Sequence, residues 1–268
     1  DKDQNQKVEL PAISKTKTMD QTSASATRAS VLVISRTASL LNRFLASLDA
    51  GYRGNNNDIE VLISWNGTAA DEQAINSGRF AARISTRDQY HFARNMNKLA
   101  EQACSEILIF ANDDIVVDPL SINAAIDRLH FAEETGVVGA CLRNSSGGLA
   151  HAGIHFTSYG SAYHQLEQFA SADYLLDYRE RSVPAVTGAF FAMRRSDFLN
   201  LRLDESFEVC GEDVLLSLQT RSKLRKDVIC CPGMSAIHDA ESTRRTVENQ
   251  GAKPNDSEKI KSYWLEMV

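Results

Sequence analysis

The 268-residue chain carries 29 Lys and Arg against 35 Asp and Glu, a net charge of −6, with 43% hydrophobic and 24% charged residues. These are ordinary globular values for one large α/β domain or two small ones, and the mild acidity argues against a general nucleic-acid binder, which would show a basic excess or stripe. No apolar run approaches the ~18 residues of a membrane-spanning helix, nothing reads as a signal peptide, and the first residue is Asp1 rather than a methionine, so the natural start is left open.

Residues 1–29 are polar, rich in Lys, Gln, Thr and Ser, and lack hydrophobic periodicity, which reads as a flexible tail or interdomain linker. Val31-Leu32-Val33-Ile34 reads as a buried strand, after which Leu40, Leu41, Phe44, Leu45 and Leu48 follow helical spacing. Ile59 to Ser64 gives a second strand, ended by the turn signal Trp65-Asn66-Gly67-Thr68. A short helix around Asp71 to Asn76 precedes a third strand near Ala82 to Ser85. His91 to Ala103 then reads as a helix with Phe92, Met96, Leu99 and Ala103 on one face. After the strand that begins at Ile107, Leu120 to Phe131 looks helical, Val137 to Leu142 looks like a strand and Gly147 to Gly153 like a hairpin or loop. Ala185 to Met193 is strongly apolar, Glu212 to Leu218 predicts a short helix, and Val228 to Cys231 a strand closed by Pro232-Gly233. This alternation indicates βαβ units and a mainly parallel sheet: one α/β domain over 30–268 with an insert between its halves. There is no internal repeat and no Gly-rich phosphate loop. Five cysteines, Cys104, Cys141, Cys210, Cys230 and Cys231, are odd in number and lack CxxC spacing. Their mostly apolar surroundings indicate buried free thiols in a reducing compartment rather than a zinc site.

The stretch Ile107-Leu108-Ile109-Phe110-Ala111-Asn112-Asp113-Asp114 runs an apolar strand straight into two carboxylates. Ligands of open α/β sheets sit at the carboxyl ends of strands, and paired aspartates there repel unless a cation or a ligand's donors offset the charge. Oxygen ligands suit Mg²⁺ or Mn²⁺, ions that usually come with nucleotide phosphates. An Asn-Asp turn capping the next helix is the alternative. Gly211-Glu212-Asp213 precedes the apolar run Val214-Leu215-Leu216. Acids in a first helical turn complement the helix dipole, or supply a general base near a substrate hydroxyl. His238 lies after a strand among the polar residues Asp239, Glu241, Arg244 and Arg245, where an imidazole can be structural, exposed or a metal ligand. Nothing in the local spacing of His151 or His164 demands chemistry.

The order of these pieces resembles family 2 glycosyltransferases of the GT-A fold, over about Ser30 to Trp264. Val31-Leu32-Val33-Ile34-Ser35-Arg36 is similar to the family's opening strand and nucleotide-binding turn. Glu60-Val61-Leu62-Ile63-Ser64-Trp65-Asn66-Gly67-Thr68 is similar to its second strand, which usually ends in Asp-Asn-Gly-Ser or Asp-Asp-Gly-Ser. Ala93-Arg94-Asn95 looks like the motif on the helix before the metal strand, and Asn112-Asp113-Asp114 stands at the DxD position. The resemblance implies that Ser35, Arg36, Asn66, Arg94, Asn95 and Asp113 serve the donor and that Asp114 binds the metal. Gly139-Ala140 and His151-Ala152-Gly153 look like the loop pattern of polysaccharide-assembling members, notably rhamnosyl- and galactosyltransferase-like proteins. Val186-Thr187-Gly188-Ala189 resembles the strand beneath the acceptor site, which implies an acceptor-side role for Thr187, Gly188, His151 and His164. Leu203-Asp204-Glu205-Ser206-Phe207 and Gly211-Glu212-Asp213 resemble the segments that precede and carry the catalytic base. His238 with Ser242, Thr243 and Arg244 matches a late pattern in which the His completes the metal site, with Arg244 on the donor phosphates. Two positions depart from the pattern: Trp65 replaces an acid that helps hold the base, and Asn112 replaces the first DxD aspartate.

The fold so implied is α/β, a Rossmann-like, mostly parallel central sheet flanked by helices, with an acceptor-side second half in the same domain. The activity implied is inverting transfer, assisted by Mn²⁺ or Mg²⁺, from a UDP-, dTDP- or GDP-sugar to a saccharide or lipid-linked saccharide. Asp213 is expected to be the base and Glu212 to orient it or the acceptor. The setting implied is O-antigen- or capsule-like synthesis in the cytoplasm at the inner face of the membrane, with peripheral attachment through other domains or partners and no nucleic-acid partner. Two alternatives remain open: a nucleotidyltransferase acting on a sugar phosphate, which would release pyrophosphate, and a catalytically silent sugar-binding module of a multidomain polymerase.

Overall fold

The run ASVLVIS has no polar alternation, and β1 (Ala29–Ser35) is buried along its whole length, as a strand covered on both faces must be. The computed structural model describes residues 27–165, 171, 179–238 and 254–268. β1 pairs in parallel with β2 (Ile59–Trp65) on one side and β4 (Ile107–Asn112) on the other, and β3 (Ala81–Thr86) continues the parallel set beyond β2. Three helices connect these strands: α1 (Ala38–Gly51), α2 (Ala69–Glu72) and α3 (Phe92–Gln102). The period-two alternation of β1 separates the two cores. Val31 and Val33 pack with Leu41, Phe44, Leu45 and Leu48 of α1, whereas Leu32 and Ile34 pack with Ala93, Met96 and Leu99 of α3. α2 starts earlier than its apolar spacing predicts because Thr68 caps it, its Oγ1 accepting from Asp71 N at 3.1 Å.

The second half comprises β5 (Ile115–Val117), α4 (Ser121–Phe131), β6 (Thr135–Arg143), β7 (Leu149–His151), β8 (Ile154–Phe156), β9 (Ala162–His164), β10 (Arg181–Ser182), β11 (Phe190–Arg194), α5 (Arg195–Leu201), α6 (Glu212–Lys223), β12 (Asp227–His238) and α7 (Pro254–Met267). The main sheet runs β10-β12-β6-β11-β4-β1-β2-β3, with β5 on β12 and β7 on β6, while β8 and β9 form a separate hairpin. The sheet is therefore mixed rather than mainly parallel, since β11 lies antiparallel between β4 and β6. Phe191 of β11 stacks on Phe110 of β4, ring centroids 4.4 Å apart, and fastens the two halves across that seam.

Two local expectations are corrected. Pro232-Gly233 does not close the last strand: a register shift between Cys231 and Ser235 absorbs it, and β12 continues to His238. Val186 to Ala189 is a turn leading into β11 rather than a strand, because the amides of Thr187 and Gly188 are bonded to side chains instead of a neighbouring strand. Cys141 and Cys230 are buried thiols 3.4 Å apart on adjacent strands, and Cys231 is buried on the other face of the sheet, whereas Cys104 is exposed.

Candidate active site

The register of the parallel half sets the first group of residues on one edge. Ser35 lies opposite Trp65, and Ile34 opposite Asn112, so the carboxyl ends of β1, β2 and β4 coincide. Beyond Asn112 the chain turns through Asp113-Asp114 and returns as β5, with Arg43 of α1 donating to the Asp114 carbonyl at 3.3 Å. Ser35 Oγ donates to Asp113 Oδ2 at 2.6 Å. Burial pushes the Asp113 carboxyl up to about 6, the Ser35 hydrogen bond and the Arg36 charge oppose that rise, and the Asp114 charge adds to it. His238 arrives because β12 pairs antiparallel with β5, which sets it opposite Ile115. Its Nε2 lies 3.3 Å from Oδ1 of the buried Asp114.

Trp65 is only 2% exposed and props its own turn: a Cβ on Gly67 would come within 2.3 Å of the indole, so only glycine fits there. The residue standing where the family usually has an acid thus serves packing. Asn66 ties this turn to its neighbours, its backbone N–H donating to Ser35 O at 2.8 Å and its side-chain amide to Asp88 O.

The second group forms at the start of α6. Gly211 enters the helix at φ +115°, a conformation suited to glycine, and Glu212 and Asp213 occupy the first turn. Asp213 Oδ2 accepts from Gly188 N at 2.5 Å and Oδ1 from Val214 N at 2.8 Å. Next to Gly188, Thr187 N donates to His151 Nε2 at 3.4 Å, and His151 Nδ1 lies 3.0 Å from His164 Nδ1. With Nε2 accepting, neutral His151 carries its proton on Nδ1, the nitrogen that faces His164. His151 is held neutral, its pKa lowered well below 6.5 by burial and then by the charges of His164, His238 and His155.

The two acids are not equivalent. Burial pushes Glu212 up to about 8, and the charges of Asp213 and Asp256 add to it. Burial also raises Asp213, but the amides of Gly188 and Val214 and the nearby His164 work against that rise. The first proton therefore leaves Asp213, and Glu212 keeps its own at neutral pH. Raised carboxyls mean that the folded chain holds protons the unfolded chain releases, so stability falls as pH rises from the unfolded toward the folded pKa. For Asp113 that window runs from 3.8 to about 6, and for Glu212 from 4.5 to about 8. His151 acts oppositely, costing stability only as pH falls below 6.5. Between pH ~6.5 and ~8.5 the fall comes largely from Glu212 and its neighbour Asp213, also raised by burial. The ligand-free melting temperature should drop across that interval, and Glu212→Gln should flatten the drop. A wild-type profile already flat there would refute the assignment.

The structure brings Ser35, Arg36, Asp113, Asp114 and His238 together at the sheet edge, and Thr187, Gly188, His151, His164, Glu212 and Asp213 beside them. Arg94 and Asn95 are placed differently. Asn95 is fully buried and braces the entry to α3, donating to Ser64 Oγ at 2.7 Å and accepting from His91 N at 3.0 Å. Arg94 is half-exposed and pairs with Glu205 at 3.4 Å. Arg244, with Ser242 and Thr243, lies outside the described residues. Among the described residues no group of three or more His, Cys, Asp or Glu forms a metal cage. Sequence reasoning missed His155, four residues beyond His151 and hydrogen-bonded to Gln165. It also missed Asp256 and the helix that carries it, although Ile260, Tyr263, Trp264 and Met267 follow helical spacing after Pro254.

Comparison with known proteins agrees with this architecture. The sequence model of the family described as Glycosyl transferase family 2 matches residues 30–202. The chain is 30% identical over 175 residues to the O-antigen biosynthesis protein RfbC of Myxococcus xanthus, covering 63% of this chain but only 13% of that protein. Among solved structures it is similar to the mannosyltransferase PcManGT from Pyrobaculum calidifontis in complex with GDP-Man and Mn²⁺, with a TM-score of 0.59 and 13% identity over 91% of this chain and 71% of that one. It is also similar to GalNAc-T7 with UDP, GalNAc and Mn²⁺ (TM-score 0.60, 14% identity, 78% of this chain and 42% of that one). S. aureus TarS 1-349 matches at a TM-score of 0.53 and 13% identity, over 78% of this chain and 60% of that one. At such identities the structures speak for the fold, and the matched sequence model for the family. The chain belongs to glycosyltransferase family 2 and is a glycosyltransferase of the GT-A fold.

Proposed function

We propose that this chain moves a sugar, with inversion, from a nucleoside-diphosphate sugar to a hydroxyl of a saccharide or lipid-linked saccharide during cell-surface polysaccharide assembly. One observation supports this most: the buried Asp113-Asp114 turn, with His238 against Asp114, adjoins a separately built carboxyl, Asp213, that accepts from two backbone amides. The donor set suits a divalent ion that arrives with its substrate. Mg²⁺ and similar ions usually bind through one or two carboxylates plus substrate phosphates, not all-protein cages, and Asp114 with His238 offers a set of that size. Mn²⁺ or Mg²⁺ held there would neutralise the diphosphate leaving group.

The chain's own residues then divide the work. Ser35 fixes Asp113 for the donor's ribose region, Arg36 and Asn66 border the nucleotide, and Arg244 is proposed to add charge-assisted hydrogen bonds to the phosphates. Asp213 removes the acceptor hydroxyl's proton, while protonated Glu212 remains a donor that orients the base or the acceptor. Thr187, Gly188, His151 and His164 form the wall on the acceptor side. Residues 30–268 are proposed to act as one catalytic unit, placed in the cytoplasm at the inner face of the membrane through other domains or partners. No helix among the described residues is long and apolar enough to cross a membrane.

The test is a screen of UDP-, dTDP- and GDP-sugars with Mn²⁺ or Mg²⁺, reading nucleoside diphosphate release and thermal stabilisation. A true donor at 100 times its Kd stabilises the fold by about 2.7 kcal/mol and should release nucleoside diphosphate when a saccharide acceptor is added. Pyrophosphate release would instead identify a nucleotidyltransferase, and stabilisation without turnover by any donor would identify a silent binding module.

A further inference from the structure

The helix α7 packs against α6. At the entry of α6, a Cβ on Gly211 would lie 3.2 Å from Ile260, so α7 rests directly on the turn that delivers Glu212 and Asp213. At the far end, Tyr263 OH lies 2.9 Å from Ser222 Oγ. Ahead of the entry of α6, the buried Asp256 in the first turn of α7 accepts from Glu208 N at 3.2 Å and Val209 N at 3.0 Å, two amides of the loop that runs into Gly211. Lys259 donates to both the carbonyl and hydroxyl of Ser206 at 2.9 Å and lies over the Phe207 ring. The same helix also holds the β8–β9 hairpin. Trp264 stacks on Phe156 with centroids 4.2 Å apart and planes 5° from parallel, and a Cβ on Gly160 at the hairpin turn would come within 2.9 Å of Lys261. That hairpin ends in His164, which meets His151 at the Thr187-Gly188 turn.

We propose that α7 is a strut of the catalytic apparatus: Asp256 and Ile260 position the loop that delivers Asp213, and Trp264 positions the hairpin that carries His164. The proposal rests on the reading of Asp213 as the base. Asn97 and Arg94 hold the start of this loop at Leu203 and Glu205, Lys259 holds Ser206, and the buried Asp256 carboxylate holds the last amides before Cys210-Gly211. Loops that place reacting groups lose rate steeply when they shift, a 1 Å misplacement costing as much as ~10²-fold. Asp256 is a positioning residue in this scheme and acts through the backbone of 208–209.

The test uses the full chain with Asp256→Ala and Asp256→Asn. Asp256→Ala should lower kcat by about 10²-fold with the donor KM unchanged. Asp256→Asn, which keeps one oxygen for the Val209 amide, should recover part of the loss. Both remove a charge that raises Glu212, so the ionisation of Glu212, which faces Asp213 and Asp256, should move to lower pH in the kcat profile. Hydrogen exchange should quicken at the Glu208 and Val209 amides of Asp256→Ala and stay unchanged in β1 and β4. Wild-type kcat with a wild-type pH profile overturns the strut, and so does faster exchange spread through the whole chain. If the wild type transfers no sugar at all, the assignment of Asp213 fails, and the exchange pattern alone still decides whether Asp256 holds the loop.

Discussion

Replacing Asp213 by Asn should cut sugar transfer by about 10²–10⁴-fold, the usual worth of a positioned general base, while donor binding stays close to that of the wild type. The carboxylate accepts one backbone amide on each oxygen, Gly188 on Oδ2 and Val214 on Oδ1. An Asn in that place has one acceptor oxygen, so its NH₂ must face a backbone N–H on one side or the other. The cost falls on the base and on the Thr187-Gly188 turn, and the sheet edge that carries Asp113 and Asp114 is untouched. Stability need not fall, because a buried carboxyl that burial disfavours is replaced by a neutral group. Glu212→Gln is the control: Glu212 already holds its proton at neutral pH, so its amide isostere should cost far less. Steady-state transfer rates and donor titrations on both variants decide the matter, and wild-type turnover by Asp213→Asn would remove that residue from the mechanism.

The second large effect is expected at Asp114. Asp114→Asn should abolish metal-dependent binding of nucleoside diphosphate, measured by titration calorimetry with and without Mn²⁺, and transfer should disappear with it. The ligand-free fold should be no less stable, since the Asp114 charge is one of the influences that raise Asp113 and removing it relieves a buried repulsion. His238→Ala should weaken metal-dependent binding less, leaving the carboxylate in place. Undiminished Mn²⁺-dependent binding in Asp114→Asn, or full wild-type activity in excess chelator, would contradict the metal role.

The parallel half was legible because its signals are local. β1, β2 and β4 are built on the apolar runs 31–34, 61–63 and 107–111, and α1 and α3 carry their buried residues at helical spacing. What the sequence concealed depends on partners far along the chain. β12 crosses Pro232-Gly233 only because β6 is there to resume pairing at Cys141, and the Thr187-Gly188 turn exists because Asp213 and His151 capture its amides. The same contrast holds in the site. Asp113, Asp114, Glu212, Asp213 and His238 stand out as residue types in suggestive places, but the Ser35–Asp113 bond joins residues 78 positions apart. Asn95 looked like a donor contact and proves to be a buried brace, a distinction that helical spacing cannot draw. Asp256 gave no signal because an acid near a helix start is ordinary; its importance lies in the loop it caps.

The stretch between β6 and β11 has a consequence for how such enzymes diversify. Between Arg143 and Phe190 the chain gives the main sheet only the short strands β7, on β6, and β10, on β12, and the two strands it joins are neighbours, with Phe191 beside Gly139. A segment whose exit and return are adjacent can lengthen, shorten or be exchanged without displacing the frame. Lengthening costs little, since each doubling of a flexible loop adds only about 0.6 kcal/mol of closure entropy. That segment carries His151, His155 and His164, which the proposed function sets on the acceptor side, whereas the paired aspartates follow β4 and their serine ends β1. Under the proposed function, heredity can therefore rewrite what is glycosylated while the apparatus that handles the nucleotide is copied unchanged.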